Sequence, residues 1–336
     1  MATAEFDVTG VGNAIVDVIA HADDAFLTAN GIEKGAMTLI DAARAEELYG
    51  RMGPGIEVSG GSAGNTMAGI ASLGGRGAYI GKVHGDQLGQ VFRHDIRAAG
   101  VHFETAAGHG GAPTARCLIL VTPDAQRSMN TYLGACVELG PEDIDEALIA
   151  NSQVTYLEGY LWDPPRAKEA FRKAAATAHG AGRKVSLSLS DSFCVHRHHA
   201  EFMDLVEGHV DILFANEHEI TALYKTDRFE DALEAVKRLG KTAALTRSEK
   251  GAVIVSGGEV VEVPASPVAR VVDTTGAGDL YAAGFLYGFT RGMAPAVCGR
   301  IGALAAAEII SHVGARPDVV LADLLPDLLK DAGVPA

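Results

Sequence analysis

Seven short strand-like runs, alternating with stretches of helical periodicity, restrict this chain of 336 residues to few architectures. The runs are Asp7-Val-Thr-Gly-Val11, Gly77-Ala-Tyr-Ile80, Val154-Thr-Tyr-Leu157, Val185-Ser-Leu-Ser188, Asp211-Ile-Leu-Phe214, Thr242-Ala-Ala-Leu245 and Ala252-Val-Ile-Val255. Helical patterns lie near 62–73, 86–99, 166–180, 217–224 and 229–239, and two or three more follow Gly276. Such alternation predicts a mostly parallel sheet with helices on both faces, an α/β fold of three layers, α/β/α. Ligands in that architecture sit at the C-terminal ends of the strands. The length exceeds the usual domain size and 48% of the residues are hydrophobic, so one large α/β domain over 1–336 is expected rather than two equal ones. Two stretches, about 18–40 and 101–133, break the alternation. The second holds Ala115-Arg-Cys-Leu-Ile-Leu-Val121 and Arg127-Ser-Met-Asn-Thr-Tyr132. Both stretches read as strands without intervening helices, a small antiparallel sheet set beside the strand ends as a lid that keeps water from a reaction.

The net charge of −15, from 43 acidic and 28 basic residues, argues against a nucleic-acid or anionic-membrane partner. A small anionic ligand stays compatible, because nearby amides and a few cations outweigh a distant field. Cys117, Cys136, Cys194 and Cys298 show no CxxC spacing and read as buried free thiols in a reducing compartment. The N-terminus lacks a basic segment followed by an apolar one, and the apolar helix candidates near 276–290 and 301–311 are interrupted by Asp279, Glu308 and His312 and too short for a bilayer. A soluble, cytoplasmic protein is expected.

The segment Val271-Val-Asp273-Thr-Thr275-Gly276-Ala277-Gly278-Asp279 reads as a strand, a glycine turn and the start of an apolar helix. Gly276 and Gly278 leave no side chain in the way, so the amides of Gly276, Ala277 and Gly278 can point at an anion. The helix N-terminus adds about 0.3–1 kcal/mol per unit anion at an exposed site. A bound phosphate would repel Asp279. Two readings explain that acid: a favourable first-turn charge, or a general base for a hydroxyl that attacks the phosphate.

Other phosphate and cofactor signatures fail on spacing. Gly10-Val-Gly12-Asn-Ala-Ile15 begins like a dinucleotide fingerprint, but Ile15 stands at its third glycine and Asp17 comes too soon. Gly75-Arg-Gly-Ala-Tyr-Ile-Gly81-Lys82-Val83 is one residue too long for a P-loop and has valine where Mg²⁺ needs a hydroxyl. His196-Arg-His198-His199 lacks the i, i+4 spacing of a metal pair and reads as a solvated helix start. Polar groups at strand ends remain. Asp17 is read as closing the first strand after Gly12-Asn13, where its carboxylate can accept from two sugar hydroxyls. Gly60-Gly61-Ser62-Ala-Gly64-Asn65 is a small-residue loop entering a helix, with Asn65 offering both donor and acceptor.

In this order, Gly60-Gly61-x-x-Gly64-Asn65, Gly81-Lys-Val-His-Gly-Asp86-x-x-Gly89, Asn216-Glu-His-Glu219 and Asp273-Thr-Thr-Gly-Ala-Gly-Asp279 resemble the motifs of the ribokinase/PfkB family of carbohydrate and nucleoside kinases, over nearly the whole chain. The resemblance implies a ribokinase-like fold, ATP and Mg²⁺. Asp279 would be the base, and the amides of Gly276, Ala277 and Gly278 would hold the charge that builds on the phosphoryl group. Asn216 and Glu219 would organise Mg²⁺ and the ATP phosphates, largely through water. Thr246, Arg247, Ser248 and Gly251 match the ATP-side loop TxGxxG, with Ser248 departing from the usual glycine. His312 and Gly314 would flank the nucleotide base. Asp273, Thr275, Ser311 and Gly314 resemble the family's monovalent cation site, which adds K⁺ to the expected ions.

Gly61-Ser-Ala-Gly-Asn-Thr66 and Arg127-Ser-Met-Asn-Thr-Tyr-Leu-Gly-Ala-Cys136 look most like the adenosine kinase-like branch. Arg127 then matches a lid arginine reaching the phosphates, and Tyr132, Tyr160 and Phe193 match contacts to a purine. Asn13, Asp17, Gly60, Gly61, Ser62 and Asn65 would hold the ribose. The expected reaction is phosphorylation of the 5′-hydroxyl of adenosine or a related ribonucleoside. A sugar kinase of the same family, acting on ribose, fructose or a keto-deoxy acid, shares the ribose contacts. A binding protein without turnover has no need of Asp279. A monomer and a homodimer joined through the lid both fit the sequence.

Overall fold

The computed structural model describes residues 4–124 and 126–333. Among the described residues fourteen strands form two sheets. The larger has nine strands: β1 (Phe6–Val11), β5 (Gly77–Ile80), β6 (His102–Phe103), β9 (Ser152–Glu158), β10 (Lys184–Ser188), β11 (Ile212–Asn216), β12 (Thr242–Thr246), β13 (Ala252–Ser256) and β14 (Glu259–Val263). Their spatial order is β14-β13-β12-β11-β10-β9-β1-β5-β6. Pairing is parallel except where β13 meets β12 and β14. Val8, Tyr156, Phe214 and Ile254 face one hydrophobic layer, Leu157, Leu187, Leu213 and Val255 the other. Burial on both faces is what makes these strands near-continuous apolar runs.

Helix Ala277–Thr290 lies in the first layer with Leu280, Phe285 and Leu286 buried, packed on helix Pro295–Ile309. Helix Pro165–Gly180 covers the opposite face with Phe171 and a row of alanines. Asn13, Glu158, Asn216, Thr246 and the Gly276 turn all stand at or just beyond the C-terminal ends of strands on one rim, or at the helix start facing it.

The second sheet has five strands, β2 (Ile15–His21), β3 (Met37–Leu39), β4 (Gly55–Gly60), β7 (Ala115–Val121) and β8 (Arg127–Tyr132), in the order β3-β8-β7-β2-β4. It differs from the expected lid in three ways. It is mixed rather than antiparallel, since β2 pairs with β7, and β3 with β8, in parallel. Helices Asp24–Ala29 and Ala42–Tyr49 are inserted among its strands, so 18–40 is not helix-free and the sheet runs on to residue 60. Residues 102–103 pair with the core sheet instead. The two helices begin at Asp23 and Asp41, whose carboxylates accept from the amides three residues on. Such caps contribute about 1 kcal/mol each. The helices fit because one face of this sheet needs cover: Val16, Val18, Leu118 and Leu120 are buried with Leu27, Leu48 and Phe92.

Candidate active site

Asp17 lies in the middle of β2, a lid strand, rather than at the end of the first core strand. The chain leaves β1 after Val11, crosses at Asn13 and enters the second sheet at Ile15, so the carboxylate reaches the strand ends from the lid. Gly60 and Gly61 make room for it. A Cβ on Gly60 would stand 2.5 Å from Asp17 Oδ2, and one on Gly61, whose φ is +85°, would stand 2.0 Å from the Asn13 carbonyl oxygen. Burial pushes the Asp17 carboxyl up to about 6, against the pull of Arg127 and Arg316.

Gly276 adopts φ +78° and caps helix Ala277–Thr290. A Cβ there would press on Ala315, whereas one on Gly278 would meet nothing within 4 Å. The amides of Gly276, Gly278 and Asp279 have no intramolecular acceptor among the described residues, while that of Ala277, expected in the anion hole, donates to the Thr274 carbonyl at 3.2 Å. The open groups at this turn are therefore Gly276, Gly278 and Asp279. Asp279 is held by both oxygens: Ser62 Oγ donates to Oδ1 at 2.6 Å and Asn65 Nδ2 to Oδ2 at 3.0 Å. Burial raises its carboxyl above the ordinary range, opposed by these two hydrogen bonds and by Arg316. Asn65 Oδ1 is buried without a partner, an acceptor that a ligand hydroxyl would satisfy.

Two residues beneath the site escaped sequence reading. Glu158, at the end of β9, accepts from Asn13 Nδ2 at 2.7 Å, from the Asn13 amide at 3.3 Å and from the Ala63 amide at 2.8 Å. It thereby orients Asn13 and the first turn of helix Ser62–Ser72, and burial pushes its carboxyl up to about 7. Arg316 donates to the carbonyls of Ser59 at 2.6 Å and Gly64 at 2.8 Å, tying lid strand to helix, and its charge acts on both Asp17 and Asp279. An acid and an arginine in otherwise unremarkable local sequence carried no signal; their partners lie 95 to 257 residues away.

On the other flank, Asn216 and Thr246 are register partners at the ends of β11 and β12. Asn216 and Glu219 form a reciprocal helix cap, with Asn216 Oδ1 accepting from the Glu219 amide at 2.8 Å and Glu219 Oε2 from the Asn216 amide at 2.9 Å. Burial pushes Glu219 up to about 7, with Asp279 among the charges that act on it. Ser248 does adopt the left-handed conformation that glycine would favour, φ +52°, and a Cβ on Gly251 would collide with the Val263 carbonyl at 2.1 Å.

Several expected contacts have other partners. Tyr132 pairs with Arg116 across β7 and β8, on the face that carries Arg116 to Glu46 and over the Tyr49 ring, so it points away from Asp17. Phe193 is 77% exposed, and Tyr160, just beyond the end of β9, stands in the field of Asp191, Asp279 and Glu219. Arg247 is bound to Glu217 at 3.0 Å and stacked on Phe229. His312 contacts Glu308 at 3.1 Å and Asp318 at 3.5 Å. Arg127, expected at the phosphates, pairs with Asp273. Thr131 and Arg127 of β8 share the lid face with Asp17, and beside them the face is largely apolar: Ile15 and Ile19 on β2, Ile119 on β7, Met129 on β8, Met37 on β3 and Ile56 on β4. Ile119, Ile19, Ile56, Met129 and Met37 are register partners in one row across all five strands.

The chain matches the pfkB family carbohydrate kinase model over residues 36–321. The structure of adenosine kinase from Sinorhizobium meliloti is 60% identical, with 96% of this chain and 99% of that one covered at a TM-score of 0.89. That of a probable sugar kinase from Rhizobium etli CFN 42 is 56% identical, with 98% and 99% covered at a TM-score of 0.90. The ATP-dependent ribose-1-phosphate kinase of Halopiger xanaduensis is 32% identical over 237 residues, 68% of this chain and 72% of that protein.

Proposed function

This chain belongs to the pfkB family of carbohydrate kinases, and from that premise we propose that it transfers the γ-phosphoryl group of ATP to the 5′-hydroxyl of adenosine or a related ribonucleoside. The observation that carries the reading is the position of Asp279, fixed by Ser62 and Asn65 in the same helix turn as three open amides. The carboxylate takes the proton as the hydroxyl oxygen bonds to γ-phosphorus and the bond to the β,γ-bridging oxygen breaks, releasing ADP. The amides of Gly276, Gly278 and Asp279 meet the charge on the transferred group, and their preorganisation is the main source of rate. Asp17 and the unpartnered Asn65 Oδ1 accept from the ribose hydroxyls. Glu158 holds Asn13 ready for the same sugar.

The open space at Gly278 suits a phosphate group. Mg²⁺, when bound with ATP, supplies charge neutralisation at the phosphates, and Glu219 with Asn216 would hold it through water. The apolar row on the Asp17 face of the lid favours a nucleoside over a free sugar, because a ribose or fructose has no flat apolar body to cover it. The lid's other face is covered by its own helices, which supports a monomer over a dimer joined through that face. Among the described residues no helix is long and apolar enough to cross a membrane. The cytoplasm, which supplies ATP and keeps thiols reduced, suits the four buried free cysteines.

ADP release with Mg²⁺-ATP, measured over adenosine, inosine, guanosine, ribose, fructose and keto-deoxygluconate, tests the proposal. Adenosine is expected to give the highest kcat/KM. A sugar turned over faster than every nucleoside would replace the reading with a sugar kinase, and binding without turnover would replace it with a regulator.

A further inference from the structure

The carboxylate of Asp273, expected to hold K⁺, is already saturated. Its Oδ1 accepts from the Thr275 amide at 3.0 Å and the Thr275 hydroxyl at 2.7 Å, and its Oδ2 accepts from the Gly314 amide at 3.0 Å and from Arg127 Nη1. A carboxylate offers about four lone-pair positions, so four donors leave none for a metal. The Thr275 hydroxyl donates to Asp273, and the Ser311 hydroxyl donates to the Glu308 carbonyl at 2.6 Å. The one anionic group of the expected set, the Asp273 carboxylate, does not fit a bound monovalent cation. A guanidinium stands at the carboxylate instead, with Arg127 7% and Asp273 9% exposed. Burial alone would raise the Asp273 carboxyl, but the Gly314 and Thr275 hydrogen bonds and the Arg127 charge hold it below the ordinary range.

Asp273 joins two segments that must keep register. The strand expected before the turn is absent among the described residues, the chain running irregularly from Val263 to the turn; through Thr275 Asp273 fixes the N-terminal half of that turn, and through Gly314 it fixes the loop whose Ala315 packs against Gly276. A carboxylate this buried is strongly disfavoured without an opposite charge. We propose that Arg127 serves as a built-in monovalent cation: its guanidinium neutralises Asp273, holds the anion turn against the 314–316 loop, and makes turnover independent of K⁺. Arg127 is thus a positioning residue. Because it opens lid strand β8, the charge that sets the turn arrives with the lid, which couples lid placement to the geometry around Asp279. The kinetic half of this inference rests on the kinase reading; the ion-pair half does not.

The test compares tetramethylammonium, sodium and potassium chlorides at one ionic strength, reading ADP release with adenosine and, without substrates, the thermal midpoint. Wild-type turnover should stay within about twofold across the three salts, with no potassium-specific rise in midpoint. Arg127→Met should lose about tenfold or more in tetramethylammonium and recover part of it with potassium or millimolar guanidinium, and its midpoint should become ion-specific. Arg127→Lys keeps the charge and should remain indifferent to the salt, which serves as the decisive variant if Arg127→Met does not fold. Stimulation of the wild type several-fold by potassium, or Arg127→Met matching the wild type without added cation, would overturn the inference. If no substrate is turned over, the kinase reading fails, and the midpoints still decide between guanidinium and cation.

Discussion

In the proposed reaction Asp279 is both a first-turn charge and the base. Its helix position stabilises the ionised form, burial disfavours it, and the Ser62 and Asn65 donors set its two oxygens in place. Asparagine keeps the size and most of the pairing but cannot take a proton. Asp279→Asn should therefore lower kcat about 10²–10⁴-fold with little change in nucleoside affinity, read from steady-state kinetics against equilibrium binding. A variant with near wild-type turnover would assign the base elsewhere. The same scale explains a misreading. Tyr132 and Thr131 are neighbours in sequence, yet alternation along β8 sends them to opposite faces, and only pairing with β7 decides which face Asp17 shares.

At the scale of elements, two segments carry separable predictions. Strand β2 presents Ile15 and Asp17 on one face, two residues apart, so the proposed sugar contact and the nearest apolar side chain travel together. Ile15→Ser should raise KM for adenosine about tenfold while leaving KM for ATP unchanged, since burying an isoleucine side chain is worth about 1.5–3 kcal/mol. An equal loss for both substrates would mean that the lid, not the base contact, had been damaged. After β12 the chain turns through Ser248 at φ +52°, a conformation that costs a residue with a Cβ about 1–2 kcal/mol. Ser248→Gly should raise unfolding stability by about 0.5–1 kcal/mol, less than the full strain because glycine loses more entropy on folding. Urea midpoints of the two proteins provide the measurement, and an unchanged or lower midpoint would show the strain to be absent.

At the scale of the molecule, the cleft gathers acids in a setting that disfavours their charge. Burial is the leading cause for each: Asp17 rises to about 6, and Glu158 and Glu219 to about 7. An acid whose folded pKa lies above its unfolded one favours folding most below the unfolded value, near 4, and that contribution is lost as pH rises through the folded value. The wild type should thus lose stability relative to Glu158→Gln between pH 5 and 8, by about 1–3 kcal/mol on urea midpoints. A gap that stays constant with pH would place Glu158 at an ordinary pKa. A net charge of −15 adds to the cost of holding these acids ionised, and Arg316 offsets part of it at Asp17 and at Asp279.

Most of the core strands and helices were legible because each depends on local pattern: β5 and helix Glu217–Tyr224 run where periodicity places them. The glycine turn and its acid were legible for the same reason, since a turn, a helix start and a first-turn carboxylate occupy consecutive residues. The helices among the lid strands were missed, being only six and eight residues long and stabilised by the sheet face they cover. Pairings were beyond reach altogether. Glu158 meets Asn13 across 145 residues, Arg127 meets Asp273 across 146, and Asp279 meets Ser62 across 217. The sequence alone determined the α/β alternation, the glycine turn with its first-turn acid and the family's motif order, because these follow from neighbours along the chain. Only the tertiary structure decided that Asp17 belongs to the lid and that a guanidinium occupies Asp273, because each depends on which distant strand or charged group arrives at a buried polar atom that cannot stay unpaired.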